Sequence, residues 1–362
     1  MKIFKKKFFK TSIALLTLAM VLSACGGTTT SNEKAGSNQD SSSQGTKKVV
    51  VYTNSGGNGR SEWVQEKAGE AGFDVQFVNA GGGDIANRLI AEKSNPVADV
   101  IWGLTSIDYE NFKKQNMLEK YVPAWAEKVD PALNDPEGFY HATAKQQILM
   151  MYDKSVYNGD TAPTDWPDLW NKSEFHGKYA VLTSGGATMR AVIAGILMRY
   201  QDPNGEYGIS QKGWDELSKF YANGHQMKEG EDLFQTLAKK EQPISPIWSS
   251  GIEGFEDQYN MKMGIISPKI GVPNLIESVA LVKGSANTDT AKQFIDWFGT
   301  AEVQGEFAAK FTYMPANNDA VKDAPQSVTD IASSVTTQDI DWKFVADHIE
   351  QWVQKIELEI KQ

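Results

Sequence analysis

Apolar positions along this chain switch repeatedly between two spacings. KKVVVYTNS (47–55) is a β-branched run that ends in small polar residues, and SEWVQEKAGEA (61–71) follows with helical spacing. FDVQFVNA (73–80) is again strand-like and DIANRLIAEKS (84–94) helical; ADVIWGLT (98–105) and SIDYENFKKQNML (106–118) repeat the pair. Strands that alternate with helices in this way predict an α/β fold, a parallel sheet covered by helices on both faces. The pattern loosens between Glu119 and Gly138, after which FYHATAKQQILMMYD (139–153) reads as a long extended segment. Alternation restarts with a strand at Tyr179–Thr183, an apolar helix from Ala187 to Tyr200, and the strand and turn PISPIWSSGIEGF (243–255). Two further extended runs, MKMGIISP and IESVALVKG, precede a mainly helical remainder that is interrupted by TYMPANND. No internal repeat is found.

Length and the N-terminal region extend this picture. Residues 47–362, about 316 in number, exceed what one hydrophobic core usually supports, so two domains are expected. The first 24 residues carry Lys2, Lys5, Lys6, Lys7 and Lys10, then IALLTLAMVL, then Leu22-Ser23-Ala24-Cys25. A basic head, an apolar middle and a small-residue end read as an export signal. The apolar run is shorter than the roughly 20 residues that cross a bilayer, no later run is longer, and the remainder is expected to be soluble. Cys25 is the only cysteine, which excludes an intrachain disulfide and a multi-cysteine metal site. Residues 26–46, GGTTTSNEKAGSNQDSSSQGT, have the composition of a flexible linker. Five of the chain's 36 basic residues fall in the leader, so 31 face 46 acidic residues beyond it, a formal charge of −15. Such a surface repels nucleic acid and anionic lipid.

Candidate chemistry lies where the strands end. In open α/β sheets ligands bind beyond the C-terminal ends of strands, where helix N-termini present unpaired N–H groups. Five such ends are rich in small polar residues: one holds Asn54, Ser55 and Gly56, a second Gly82 and Gly83, a third Thr105. The fourth holds Ser184, Gly185 and Thr188, and the fifth Ser249 and Ser250. Any one of them could be an ordinary N-cap or tight turn; five together suggest a site for one anionic or polyhydroxylic ligand. Arg190 follows the fourth end and could pair with a phosphate or carboxylate, or be structural. Trp102 and Trp248 also end strands; Trp248 is preferred as a flat face for a sugar or organic cation, and Asp84 is expected to cap its own helix. Gly81, Gly83 and Ala86 satisfy the dinucleotide-binding spacing. They follow the second strand, however, and the next strand ends Ile101-Trp102-Gly103 with no acidic residue, so the dinucleotide assignment fails. No catalytic motif, metal-ligand spacing or cofactor signature is found. His141, His176, His225 and His348 are scattered, and Ser184 or Ser250 would be a nucleophile only beside a histidine.

Two stretches are the most specific. RLIAEKSNPVADVIWG (88–103) and ESVALVKGSANTDTAKQFIDWF (277–298), together with VVVYTNSG, resemble the extracellular solute-binding proteins of ABC importers. The nearest branch holds ferric-ion, thiamine, phosphonate and sugar-phosphate binders, and the resemblance extends over most of the chain beyond the leader. It implies a two-lobed periplasmic-binding-protein-like fold (type II) with crossing hinge strands, at His141–Met150 and Ile265–Glu277, and ligand held between the lobes. Lobe 1 would comprise 47–145 plus 275–362, and lobe 2 residues 146–274. Glu277 matches a family position that can bond ligand hydroxyls. Leu-Ser-Ala-Cys resembles a bacterial lipobox, with 1–24 the signal peptide and 25–46 the lipidated Cys25 and linker. This implies a monomer anchored by lipid on the extracytoplasmic face of the cell membrane, with a small-molecule ligand and ABC permease subunits as partners. The expected ligand is an anionic organic phosphate or phosphonate. Alternatives are a ferric ion, thiamine or another organic cation, or a secreted hydrolase on the same architecture. The ferric-ion branch uses an adjacent tyrosine pair; this chain has none, and Ile247-Trp248-Ser249-Ser250-Gly251 stands in its place.

Overall fold

β1 (Lys47–Thr53) lies between β2 (Phe73–Asn79) and β3 (Val100–Thr105), parallel to both. The computed structural model describes residues 47–228 and 230–361. Side chains of these strands alternate between two layers of core. Val49, Val51, Val75, Val100 and Trp102 pack with Phe294, Phe298 and Phe307 on one face; Tyr52 and Ile101 pack with Ile85, Leu89, Tyr109 and Phe112 on the other. β3 is buried along its whole length and β1 from Val51 onward, which is why they read as nearly continuous apolar runs, whereas β2 lies at the sheet edge and exposes Gln76 and Asn79. The intervening helices are α1 (Arg60–Glu70), α2 (Gly82–Ala91) and α3 (Ser106–Lys114). A capping box closes the start of α3: the Asp108 carboxylate accepts from the Thr105 backbone N–H and hydroxyl, both at 2.9 Å.

The extended run after Gly138 becomes one 14-residue strand, Tyr140–Asp153. Its first part pairs antiparallel with the strand Asn274–Val282, and its second part pairs with Ile244–Trp248 and Met263–Ile266. The change of partners falls at Gln147 and Ile148. One strand thus links the first sheet to a second layer of structure, giving a mixed, curled sheet. The strand Asn274–Val282 also lies antiparallel to β3, with a register shift between Glu277 and Ser278.

A separate large core surrounds Leu149, Trp166, Ile193, Phe220 and Ile247. The C-terminal helix, Trp342–Lys355, adds Val345, Ile349 and Trp352 to that core. The sequence-based expectation grouped this helix with the first lobe. An apolar stripe at helical spacing reports that a face is buried and not which core buries it. Among the described residues no helix is long and apolar enough to cross a membrane. Cys25 and the linker lie outside the described residues.

His141 is a buried titratable group beside the strand crossing, 4% exposed. Its Nε2 lies 2.7 Å from the Tyr121 carbonyl, so this nitrogen donates, while Nδ1 is buried with no partner. Burial pushes its pKa below the ordinary value, against smaller opposing effects of the Tyr121 carbonyl and the Asp135 charge. The folded chain therefore holds His141 neutral and the unfolded chain binds the proton more readily. Stability from this group is complete above about pH 6.5 and is lost as the pH falls toward the lower folded value. The melting temperature of the wild-type chain should drop over that interval more steeply than that of His141→Gln; equal slopes in differential scanning calorimetry would count against the assignment.

Candidate functional site

A cavity of about 590 Å³ opens where the strand Tyr140–Asp153 exchanges partners. Glu277 is the centre of its polar wall. The register shift after Glu277 is a bulge, a device that re-aims a strand side chain. The carboxylate accepts from the Ser55 hydroxyl at 2.9 Å, the Gln146 side-chain amide at 3.1 Å, and the Tyr313 hydroxyl at 2.8 and 3.1 Å. Burial, followed by the Glu277 charge, pushes the Tyr313 phenol well above its ordinary pKa, so it stays a donor. Asn54 is fixed in the same wall by accepting from the Leu104 N–H at 2.7 Å. Gly103 permits that approach: its φ is +90°, and a Cβ there would lie 2.4 Å from the Asn54 side-chain oxygen.

Arg60 is the first residue of α1 and lines the cavity. Its guanidinium lies 4.8 Å from the centre of the Tyr313 ring and 5.9 Å from that of Phe311. Among the described residues it has no carboxylate partner, and its Nε is buried without a hydrogen bond. A cation at a helix N-terminus sits where the helix dipole is also positive. Both fields thus favour an anion at this point, and Arg60 and Glu277 are the charged groups of opposite sign among the described residues that line the cavity.

Ser55, Thr105, Thr188, Trp248 and Ser250 also face this cavity, as the strand-end argument expects. The Ser250 N–H donates to Gln146 at 3.2 Å, and its hydroxyl is buried without a partner. Ser249 is buried behind the lining; its hydroxyl accepts from the Gln147 N–H at 3.2 Å. A second cavity of about 780 Å³ shares Asn54, Thr105 and Ala187 with the first. Gly82, Gly83, Gly185 and Arg190 line this neighbour instead, and the Arg190 guanidinium is paired with Glu350 at 2.8 Å.

Besides Ser249, two candidates face neither cavity. Ser184 is 1% exposed and bonds the Tyr221 hydroxyl at 3.0 Å. At Gly56 a Cβ would come within 1.8 Å of Asn79 and 2.0 Å of Ser61, so glycine there answers to the close approach of β2 and α1. Trp102 is buried among Phe77, Phe298 and Phe307, and Asp84 makes no cap bond, the α2 N-cap being Gly81.

Sequence reasoning missed Arg60, Gln146 and Tyr313. A cation placed after the turn Ser55–Gly59, at a helix start, was a readable signal for Arg60; Gln146 and Tyr313 carry none, because the carboxylate that they bond is distant in sequence. The four histidines bond separately, to Tyr121, Trp170, Glu231 and Phe344. Among the described residues no group of three or more histidine, cysteine or acidic side chains could hold a metal ion.

Comparison with known proteins now complements the geometry. Residues 62–333 match the family model described as bacterial extracellular solute-binding protein. A Sinorhizobium fredii protein named as a probable ABC transporter periplasmic-binding protein, y4fP, is 36% identical over 314 residues, 87% of each chain. Two solved structures share the fold. The ferric binding protein of Campylobacter jejuni superposes with a TM-score of 0.73 at 20% identity, covering 86% of this chain and 99% of its own. The periplasmic binding protein AfuA of Actinobacillus pleuropneumoniae, with fructose-6-phosphate bound, gives 0.72 at 20% identity, covering 87% and 98%. The fold of both neighbours is the two-lobed one expected from the sequence.

Proposed function

We propose, on the premise that this chain belongs to the bacterial extracellular solute-binding protein family, that it captures a small anionic organic solute for an ABC importer. A phosphate ester or phosphonate is the foremost class. The observation that carries this reading is Arg60, a guanidinium at the positive end of α1 with no carboxylate partner among the described residues, in a cavity that also offers Ser55, Asn54 and Thr188. An anion there would satisfy a charge that the protein leaves uncompensated. Glu277 is the charged group of the lining that, beside the flat face of Trp248, favours an organic cation. Its oxygens already accept from Ser55, Gln146 and Tyr313, so it serves first to hold the polar wall in place.

In this reading lobe 1 is 47–145 with the return segment from 275, lobe 2 is 146–274, and the C-terminal helix shares the core of lobe 2. The solute sits between the lobes, and their closure is stabilised by its differential affinity for the closed state. Cys25 would carry the lipid that anchors the chain outside the cytoplasm, within reach of permease subunits. No catalytic role is assigned: Ser184 bonds a tyrosine, and the hydroxyl of Ser250 meets no histidine.

Thermal unfolding at constant ionic strength tests the ligand class. Phosphate esters or phosphonates at about a hundred times their dissociation constant should raise the midpoint by roughly 5 °C. A midpoint that they leave unmoved, while thiamine, polyamines or ferric citrate raise it, rules the anion out.

A further inference from the structure

We propose that the solute carries, besides its acidic group, an unsaturated or aromatic ring that lies on Trp248. This deepens the anion reading and rests on it. The cavity's charged groups and its open aromatic surface come from different parts of the chain. Arg60 and Glu277 belong to the polar wall, whereas Phe234, Trp248 and Phe255 form a continuous aromatic wall from the 234–255 segment. The Phe234 and Trp248 centroids lie 5.8 Å apart at 73°, those of Phe234 and Phe255 4.6 Å apart at 37°. Ile148 and Leu275 extend the apolar surface beside them.

Trp248 is the member of this wall best placed to meet a ligand. Phe255 is buried in the core, but Trp248 is half-buried and its indole N–H has no hydrogen-bond partner among the described residues. Gly251 sits under the indole: a Cβ there would lie 2.8 Å from Nε1 and 3.0 Å from Cε2, so only glycine lets the ring rest against the backbone. The ring is thus braced by Gly251 on one side and by the edge contact with Phe234 on another. Tyr313, the remaining aromatic side chain of the lining, is already engaged, its hydroxyl by Glu277 and its face by Arg60. A polyhydroxylic phosphate could lay only its C–H face on the indole and would cover less of the aromatic wall than a planar ring. A ring with an acidic substituent matches both walls, because it buries apolar area and stacks on the indole while its charge meets Arg60.

Isothermal titration calorimetry with methylphosphonate, propylphosphonate and phenylphosphonate tests the proposal on the whole chain. Phenylphosphonate should bind about tenfold more tightly than methylphosphonate. In Trp248→Ala that preference should shrink to about threefold or less. Trp248→Phe should restore part of it, and the ligand-free melting temperature of both variants controls for folding. A flat series in the wild-type chain overturns the proposal, as does a preference that survives in Trp248→Ala. If no phosphonate binds but benzylamine does, the anion reading itself has failed and takes the acidic half of the proposal with it.

Discussion

Arg60→Ala is expected to weaken binding of an anionic solute by roughly two orders of magnitude, the effect of removing a charged partner from a partly desolvated ion pair. Among the described residues the side chain has no acidic partner and it reaches over Tyr313, so its loss breaks no salt bridge among them. Stability of the ligand-free chain should therefore change little, and the rise in melting temperature on adding solute should vanish. Arg60→Lys keeps the charge but not the planar fork, and should recover only part of the affinity. Calorimetric titration of the three proteins at one ionic strength measures this order. Wild-type affinity in Arg60→Ala would remove the anion reading altogether.

Glu277→Ala should have the largest effect on stability. Removing the carboxylate strands the hydroxyl of Tyr313, which is only 3% exposed, together with the Gln146 amide and the Ser55 hydroxyl. Each stranded buried group costs about 1–3 kcal/mol, so a total near 3 kcal/mol is expected after relaxation. For a chain of this size that corresponds to a fall in melting temperature of roughly 5 °C. Glu277→Gln retains the shape and one carbonyl acceptor, and should lose less. It also removes the negative charge from the cavity wall, so an anion should bind this variant at least as well as the wild type. If Glu277→Gln instead abolishes anion binding while remaining folded, the carboxylate contacts the ligand directly and the solute carries a cationic group.

Four of the five strand ends reach the first cavity, through Asn54 and Ser55, Thr105, Thr188, and Trp248 and Ser250, because a strand followed by a helix delivers its last residues to one edge of the sheet. The same rule sends Gly82 and Gly83 to that edge but cannot say how far along it, and they line the neighbouring space. Thr188 and Arg190 show a finer limit. They are two residues apart on one helix, which points them in different directions, so Thr188 faces the first cavity and Arg190 faces the second, where it meets Glu350. Ser184 illustrates a small polar residue whose hydroxyl is used by a distant tyrosine in the core.

Local pattern by itself determined the alternating strands and helices, the doubly covered sheet and the long strand Tyr140–Asp153, since each follows from the period of burial along a few residues. It also determined the leader-like N-terminal region and the acidic balance of the remainder, which are properties of composition. Tertiary structure alone decided that Ser55, Gln146, Glu277 and Tyr313 meet in one hydrogen-bonded cluster, across separations of up to 222 residues. It alone decided that the C-terminal helix joins the core of Trp166 and Ile193, and that Arg60 reaches the cavity without an acidic partner among the described residues. A side chain's partner depends on register, bulge and packing between distant segments, and none of these leaves a periodic mark on the sequence.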